Sequence, residues 1–285
     1  QKVLSKDRVI AREGGVDRRG RREATIVEVI ERANSFIVGI LHNDHDVSFV
    51  APSDRRISQK IAIPRGDEGG AKTGEVVVVE IIAQPSAGAQ PVGKVSEVVG
   101  HATDPGMEIE IALRKHTLPF EFSSKARAQA ARYPSEIRPP DIEGRVDLRD
   151  IPLVTIDGET AKDFDDAVWA ESQGKGFRLI VAIADVSHYV RPGDALDTDA
   201  RERGTSVYFP RRVIPMLPEK LSNELCSLNP GVDRLCMACD MAISQDGTIA
   251  KYKFYPAVMR SQARLTYTQV WAALQEPHSE FAGKL

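Results

Sequence analysis

The chain has 285 residues, 42% of them hydrophobic and 28% charged, with a formal net charge of −3, which leaves room for two domains and a fragment of a third, each with its own core. No apolar run approaches the roughly 18 residues of a membrane helix, and the three cysteines (Cys226, Cys236, Cys239) suit a reducing compartment rather than a disulfide scaffold. The start, Gln1-Lys2-Val3-Leu4, is neither a signal peptide nor an initiator Met, so the expectation is a cytoplasmic protein without a membrane, read from inside a longer gene product.

Lys6–Arg12 has the character of a strand that ends a preceding unit. The cluster Arg18-Arg19-Gly20-Arg21-Arg22 is either a solvated hairpin turn or a contact for polyanions. The net charge does not choose between these, because an acidic catalytic site cancels a basic groove in the total. Strands follow at Thr25–Ile30, Ser35–Leu41, Val47–Ala51, Gln59–Ile63, Val76–Ala83 and Val92–Val98. They are rich in Val and Ile and are bounded by Asn-Asp, Pro-Ser-Asp and Gly-Gly clusters. Five or six such strands fit a small closed barrel, of which the five-stranded oligonucleotide-binding barrel is the common form. On it, Phe36 and Phe49 with Arg55 and Arg56 form either a stacking and phosphate surface, or a core residue, a rim residue and a solvated turn.

Met107–Leu113 is compatible with helix or strand, and Ser123–Arg132 reads as a helix. Tyr133-Pro134 and Arg138-Pro139-Pro140 then break the chain, which predicts a domain boundary near them. Beyond it come strands at Leu153–Ile156, Ala167–Ala170 and Phe177–Asp185 and a helix over Ala195–Arg203. Further strands at Leu235–Ile243 and Ile249–Val258 precede a helix that starts at a Thr cap, Thr266–Leu274. The chain stops soon afterwards, and a truncated domain is expected.

The most informative segment runs from Thr155 to Ala167, where Asp157, Asp163, Asp165 and Asp166 lie within ten residues at the junction of two strands. Four converging carboxylates repel unless a cation compensates them. All-oxygen ligands at this density suit Mg²⁺ or Mn²⁺ rather than zinc. On extended backbone Asp163 and Asp165 point the same way and Phe164 turns into the core. The alternative is an acidic surface turn. A calcium-binding EF-hand loop fails, because its glycine and glutamate positions hold Val168 and Gly174. A phosphatase with an aspartyl nucleophile would require a doubly wound α/β fold, which the strand-rich pattern disfavours.

Other residues carry less. Asp185 ends an apolar strand, either as support for a site or as a turn residue. Cys236-Met237-Ala238-Cys239 has zinc-knuckle spacing, but strand alternation aims the two thiols at opposite faces. His42 and His45 flank a turn in the barrel and His188 follows Ser187. No histidine pairs with a nucleophile, so 2′-hydroxyl ribonuclease chemistry has no support. Tyr208 and Phe209 are stacking candidates or core residues.

Taken together, Gly144–Asp150, Thr155–Glu159 and Asp163–Ala167 resemble the start of the catalytic domain of the ribonuclease II/ribonuclease R family, with wording nearest its bacterial ribonuclease R branch. The likeness continues through Val181–Ser187, Arg203–Pro210, Ile214–Pro218 and Leu221–Pro230. The resemblance implies a β-rich mixed fold, a cold-shock (oligonucleotide-binding) barrel followed by the truncated α+β RNB catalytic domain. Residues 1–24 would end a first cold-shock barrel, 25–99 form the second, 100–143 be a helical connector and 144–285 begin the catalytic domain. It also implies a processive, hydrolytic 3′-to-5′ exoribonuclease releasing nucleoside 5′-monophosphates with Mg²⁺, Mn²⁺ substituting. Asp157, Asp163, Asp165 and Asp166 would be its catalytic and metal-binding aspartates, Asp165 the most sensitive to Asn. Tyr208 would stack on RNA near the cleavage site. The implied partners are single-stranded RNA and structured RNA with a 3′ overhang, and the implied state is a monomer. The family's assisting arginine and glutamate and its S1 barrel lie further downstream than this chain reaches. A catalytically silent RNA-binding fragment is therefore the alternative. The residues alone supply metal-assisted phosphodiester chemistry; RNA comes from the resemblance.

Overall fold

The structure, a computed structural model, describes residues 2–44 and 47–275; His45 lies outside the described residues. The chain divides into two units, residues 1–120 and 121–285.

The first unit opens with an antiparallel ribbon of β1 (Arg8–Val16) and β2 (Arg22–Glu31). Its turn is organised by Asp17, whose carboxylate accepts from the amides of Arg19 and Arg21 and from the Arg21 guanidinium. The arginine cluster is thus a hairpin tip. The strand expected at Thr25–Ile30 lies in β2, but it pairs with β1 in a separate two-stranded sheet rather than joining the barrel. Its residues are almost all exposed, so no core face ties it to the barrel. Strand propensity identifies a strand without identifying its partner.

The closed barrel comprises β3 (Phe36–Asp44), β4 (Val47–Pro52), β5 (Ile61–Ile63), β6 (Glu75–Ala83) and β7 (Val92–His101), in the order β3-β4-β5-β7-β6. Alternate residues Ile37, Leu41, Val50, Ile61, Ile63, Val77, Val79 and Val95 fill it. Gly39 is required where β3 meets β4, since a Cβ there would stand 2.3 Å from the Ala51 carbonyl oxygen. The segment Met107–Leu113 is helical, in α1 (Met107–Lys115). Met107 packs on the outward residues Val38 and Val76 of the barrel.

The second unit begins with α2 (Ser124–Arg132), capped by the Ser123 hydroxyl, then α3 (Pro139–Ile142). The span 100–143 is therefore not one connector: α1 belongs to the first unit and α2 to the second. Gln129 on α2 bonds to Asp194, at the start of a later helix. The prolines near 134–140 bend the chain, whereas domain membership follows the core each helix packs on.

Then come β8 (Val146–Asp147), β9 (Val154–Asp157), β10 (Asp166–Gln173), β11 (Gly176–Ala184), α4 (Val186–Tyr189) and α5 (Ala195–Arg203). A short hairpin of β12 (Val207–Phe209) and β13 (Arg212–Ile214) and a π-helical turn, Lys220–Leu225, follow. The unit closes with β14 (Asp233–Ile243), β15 (Ile249–Arg260), β16 (Ala263–Thr266) and α6 (Tyr267–Gln275). Seven strands form one sheet in the order β16-β9-β10-β11-β14-β15-β8. One face carries small residues, Ala182, Ala184, Cys236, Ala238 and Ala257, which let α2, α5 and the π-turn pack close through Ala126, Ala130, Leu196, Leu221 and Leu225. No helix among the described residues is long and apolar enough to cross a membrane.

Candidate active site

The sheet positions the aspartates. β9 and β10 run antiparallel with Val154 opposite Val168, so the end of β9, at Asp157, comes alongside the start of β10, at Asp166. The loop between them carries Asp163 and Asp165. Phe164 is 1% exposed and anchors this loop in the core. Asp163 and Asp165, on either side of it, both line a cleft of about 1100 Å³ together with Asp157, Tyr208, Arg264 and Asn223. Asp166 is exposed at the first position of β10 and is not among the lining residues. Strand alternation turns it away from its neighbour Asp165. The structure thus brings three of the four carboxylates to one wall, with the fourth adjacent.

Individual contacts fix this wall. Asp157 accepts the Gly158 amide at 2.7 Å. Asp163 accepts the Tyr208 hydroxyl at 2.9 Å. Burial, and then the bond to Asp163, push the Tyr208 phenol up to about 12, so it is a donor at neutral pH. The Asp165 carbonyl is held by the Ala184 amide at 2.8 Å. Protein packed around Asp165, and then the charges of Asp166, Asp163 and Asp157, push its carboxyl above the ordinary aspartate value. Arg264, on β16, donates to the Ala161 carbonyl and lies 4.0 Å above the Phe164 ring. Glu159 is bound by the Thr268 hydroxyl at 2.5 Å.

The donor set fits a hard divalent cation. Every potential ligand lining the cleft is an oxygen, and neither Cys nor His is among the lining residues. As placed, no three His, Cys, Asp or Glu side chains among the described residues are gathered to hold an ion. Asp157 and Asp163 are engaged with protein donors instead. Lys162, Arg211, Arg212 and Arg264 also line the cleft, giving an acidic wall with basic residues around it, an arrangement suited to a phosphodiester approached by a cation.

The remaining candidates fall in several places. Tyr208 is 62% exposed with its ring available to solvent, and Phe209 lines the same cleft. Asp185 is buried and paired with Arg145 at 2.6 Å, so it is more than a turn residue. Cys236 sits in the core and Cys239 opposes Phe254 on the other face of the sheet. On the barrel, Phe49 stacks on His42 with ring centroids 5.3 Å apart, and the Lys60 ammonium stands 3.9 Å over its ring. Phe36 is exposed but six residues from His42 along β3, about 20 Å away, so Phe36 and Phe49 are not one stacking platform. Arg55 and Arg56 are both exposed, and Arg56 is tied to Asp54 at 2.6 Å. Lys162, Arg211, Arg212 and Arg264 escaped the sequence reading; Arg264 lies about a hundred residues downstream of the aspartates, beyond any local spacing rule.

Comparison with known proteins decides the family. The RNB domain model matches residues 145–283 and a cold-shock domain model matches residues 49–123. Ribonuclease R of Escherichia coli K12 is 55% identical over 270 residues, covering 94% of this chain and 33% of the relative. The chain belongs to the RNB family. It spans about a third of the length of that curated relative. Among solved RNB structures, Mycoplasma genitalium RNase R in complex with ribose-methylated single-stranded RNA superposes with a TM-score of 0.86 at 27% identity, covering 98% of this chain and 44% of that one. The same enzyme in complex with double-stranded RNA gives 0.83 at 28% identity, covering 90% and 45%. The β-rich order of barrel followed by RNB sheet is therefore a family architecture.

Proposed function

We propose that this chain supplies the metal-binding half of a hydrolytic exoribonuclease site that shortens RNA from the 3′ end and releases nucleoside 5′-monophosphates. The observation that carries the reading is the meeting of Asp157, Asp163 and Asp165 with Tyr208 on one cleft whose remaining lining includes four basic side chains. The RNA complexes of the Mycoplasma relative support RNA as the polymer. Asp157, Asp163, Asp165 and the adjacent Asp166 would hold Mg²⁺, or Mn²⁺ in its place. The bound ion supplies an activated water and charge neutralisation at the phosphodiester.

The chain's own residues do the rest. Arg264 and Lys162 attract the phosphate toward the acidic wall. Tyr208, held at its hydroxyl by Asp163, offers its ring to the terminal base. Phe49 and Arg55 on the barrel bind single-stranded RNA, or the 3′ overhang of structured RNA, by stacking and charge. A monomer working in the cytoplasm is consistent with this use.

The test is 5′-labelled single-stranded RNA incubated with the purified chain, in Mg²⁺ and in chelator, beside an Asp165→Asn control. A Mg²⁺-dependent ladder receding from the 3′ end and absent in the control is expected. Cleavage that persists in chelator or in the control would overturn the site assignment. A second reading, RNA binding without cleavage, is favoured by the share of the relative's length that this chain spans. RNA binding with no cleavage in any lane would select it.

A further inference from the structure

We propose that Ser227 is a positioning residue that sets the spacing of Asp163 and Asp165, and the proposal rests on the metal-binding reading of those aspartates. Ser227 is wholly buried and lies 63 residues from the loop it touches. Its hydroxyl accepts the Phe164 amide at 3.2 Å and donates to the Lys162 carbonyl at 3.2 Å. The Asn229 side-chain oxygen, at 3.5 Å, is the weaker claimant on that single proton.

The two atoms held by Ser227 flank Asp163 on both sides, and the Phe164 amide lies one residue before Asp165. The next residue completes the clamp, for the Leu228 amide donates to the Phe164 carbonyl at 2.7 Å. Between Asp163 and Asp165, both backbone groups of Phe164 are thus bound to Ser227–Leu228, and the Asp165 carbonyl is bound to Ala184 on β11. The loop has no regular secondary structure to hold it, and its carboxylates carry like charge, so its shape depends on these bonds.

Ser227 is itself anchored. Arg234 on β14, 7% exposed, donates from Nε to the carbonyls of Glu224 and Ser227, each at 2.9 Å. The guanidinium therefore closes the end of the π-turn and fixes the peptide that carries Ser227. The line of support runs from the central sheet through Arg234 and Ser227 to the aspartate loop. Ser227 touches neither a lining carboxylate nor the cleft, so it acts only through the backbone.

Ser227→Ala in the full chain removes both bonds at nearly constant volume. Two readouts are taken: Mn²⁺ affinity by calorimetry without RNA, and amide exchange across residues 158–168. The expected result is Mn²⁺ binding about 10-fold weaker, the scale seen when support to ligands is lost, with exchange at Phe164 about 5–10-fold faster, as one lost buried hydrogen bond predicts. Exchange in the barrel stays as in the wild type. Ser227→Cys, of similar size with a weak donor, falls between, and replaces the alanine variant if that one does not fold. Unchanged exchange at Phe164, or faster exchange throughout the unit, overturns the positioning role. If the wild type and Asp165→Asn bind Mn²⁺ alike, the metal reading fails, while the exchange readout still decides the clamp.

Discussion

The phenol of Tyr208 donates to Asp163 Oδ2 at 2.9 Å across 45 residues of sequence, joining the β12–β13 hairpin to the aspartate loop. The bond leaves most of the tyrosine ring exposed, so one side chain offers an aromatic face for the proposed stacking on RNA and a polar tip to a proposed metal ligand. Tyr208→Ala should weaken binding of short single-stranded RNA by about 1–3 kcal/mol, the value of one stacked base. Tyr208→Phe keeps the ring and should bind within about twofold of wild type. The phenol's folded value, raised to about 12, adds stability below its unfolded value near 10. That contribution is lost as pH rises through the folded value, and Tyr208→Phe should abolish this alkaline component. Fluorescence anisotropy and thermal melts across pH check both points.

Asp165→Asn should lower Mg²⁺-dependent cleavage at least about 100-fold, equivalent to about 2.7 kcal/mol of barrier, in any form of the protein that cleaves. RNA affinity in chelator should hold or improve as one negative charge leaves the cleft. Because burial and like charges raise the Asp165 carboxyl, its ionised form opposes folding. The metal-free variant should therefore melt slightly above wild type at pH 7. That advantage should fade below about pH 4, where aspartate is protonated in both states. A variant that melts markedly lower than wild type at pH 7 would contradict this account.

The buried pair Arg145–Asp185, at 2.6 Å, also engages the Ser187 hydroxyl. Burial raises the Asp185 carboxyl, but Ser187 and Arg145 outweigh it and hold it below the ordinary value. Its stabilisation is present above the unfolded value near 3.9 and is lost as pH falls through the lower folded value. Asp185→Asn should cost about 3–5 kcal/mol at pH 7, the cost of a buried charge left alone. The gap to wild type should close in acid. Urea titrations at pH 7 and pH 3 measure it.

Neighbouring arginines on the barrel should behave differently. Both are exposed, but the Arg56 guanidinium makes three contacts to the Asp54 carboxylate. Arg55→Ala should reduce the slope of log affinity against log salt for single-stranded RNA by about 0.7, one phosphate contact. Arg56→Ala should change it by less than half of that. Equal slopes for the two variants would show that the Asp54 pairing does not decide which arginine meets phosphate. Phe49→Ala should lower affinity by about 1–3 kcal/mol without altering the slope.

Much of this was legible in the chain. The barrel strands stood out because short Val- and Ile-rich runs between turn residues pack as a closed sheet, and the four aspartates within ten residues marked the acidic loop of the cleft. Alternation alone predicted that Phe164 would turn inward with Asp163 and Asp165 on the other side. The sequence misplaced Thr25–Ile30, which fits a strand equally well in the barrel or in the ribbon with β1. It also treated residues 100–143 as a connector, because the prolines are visible and the core contacts of α1 and α2 are not. Local residues, then, determined the kinds of element and the acidic, oxygen-rich character of the site, since both depend on spacing along the backbone. Which carboxylates share a wall, that Tyr208 caps Asp163, that Arg264 covers Phe164 and that Ser227 clamps the loop were decided only by tertiary structure. The tyrosine, serine and arginine contacts join residues 45 to 100 positions apart, and nothing in local spacing fixes which distant strand or turn a buried donor will meet.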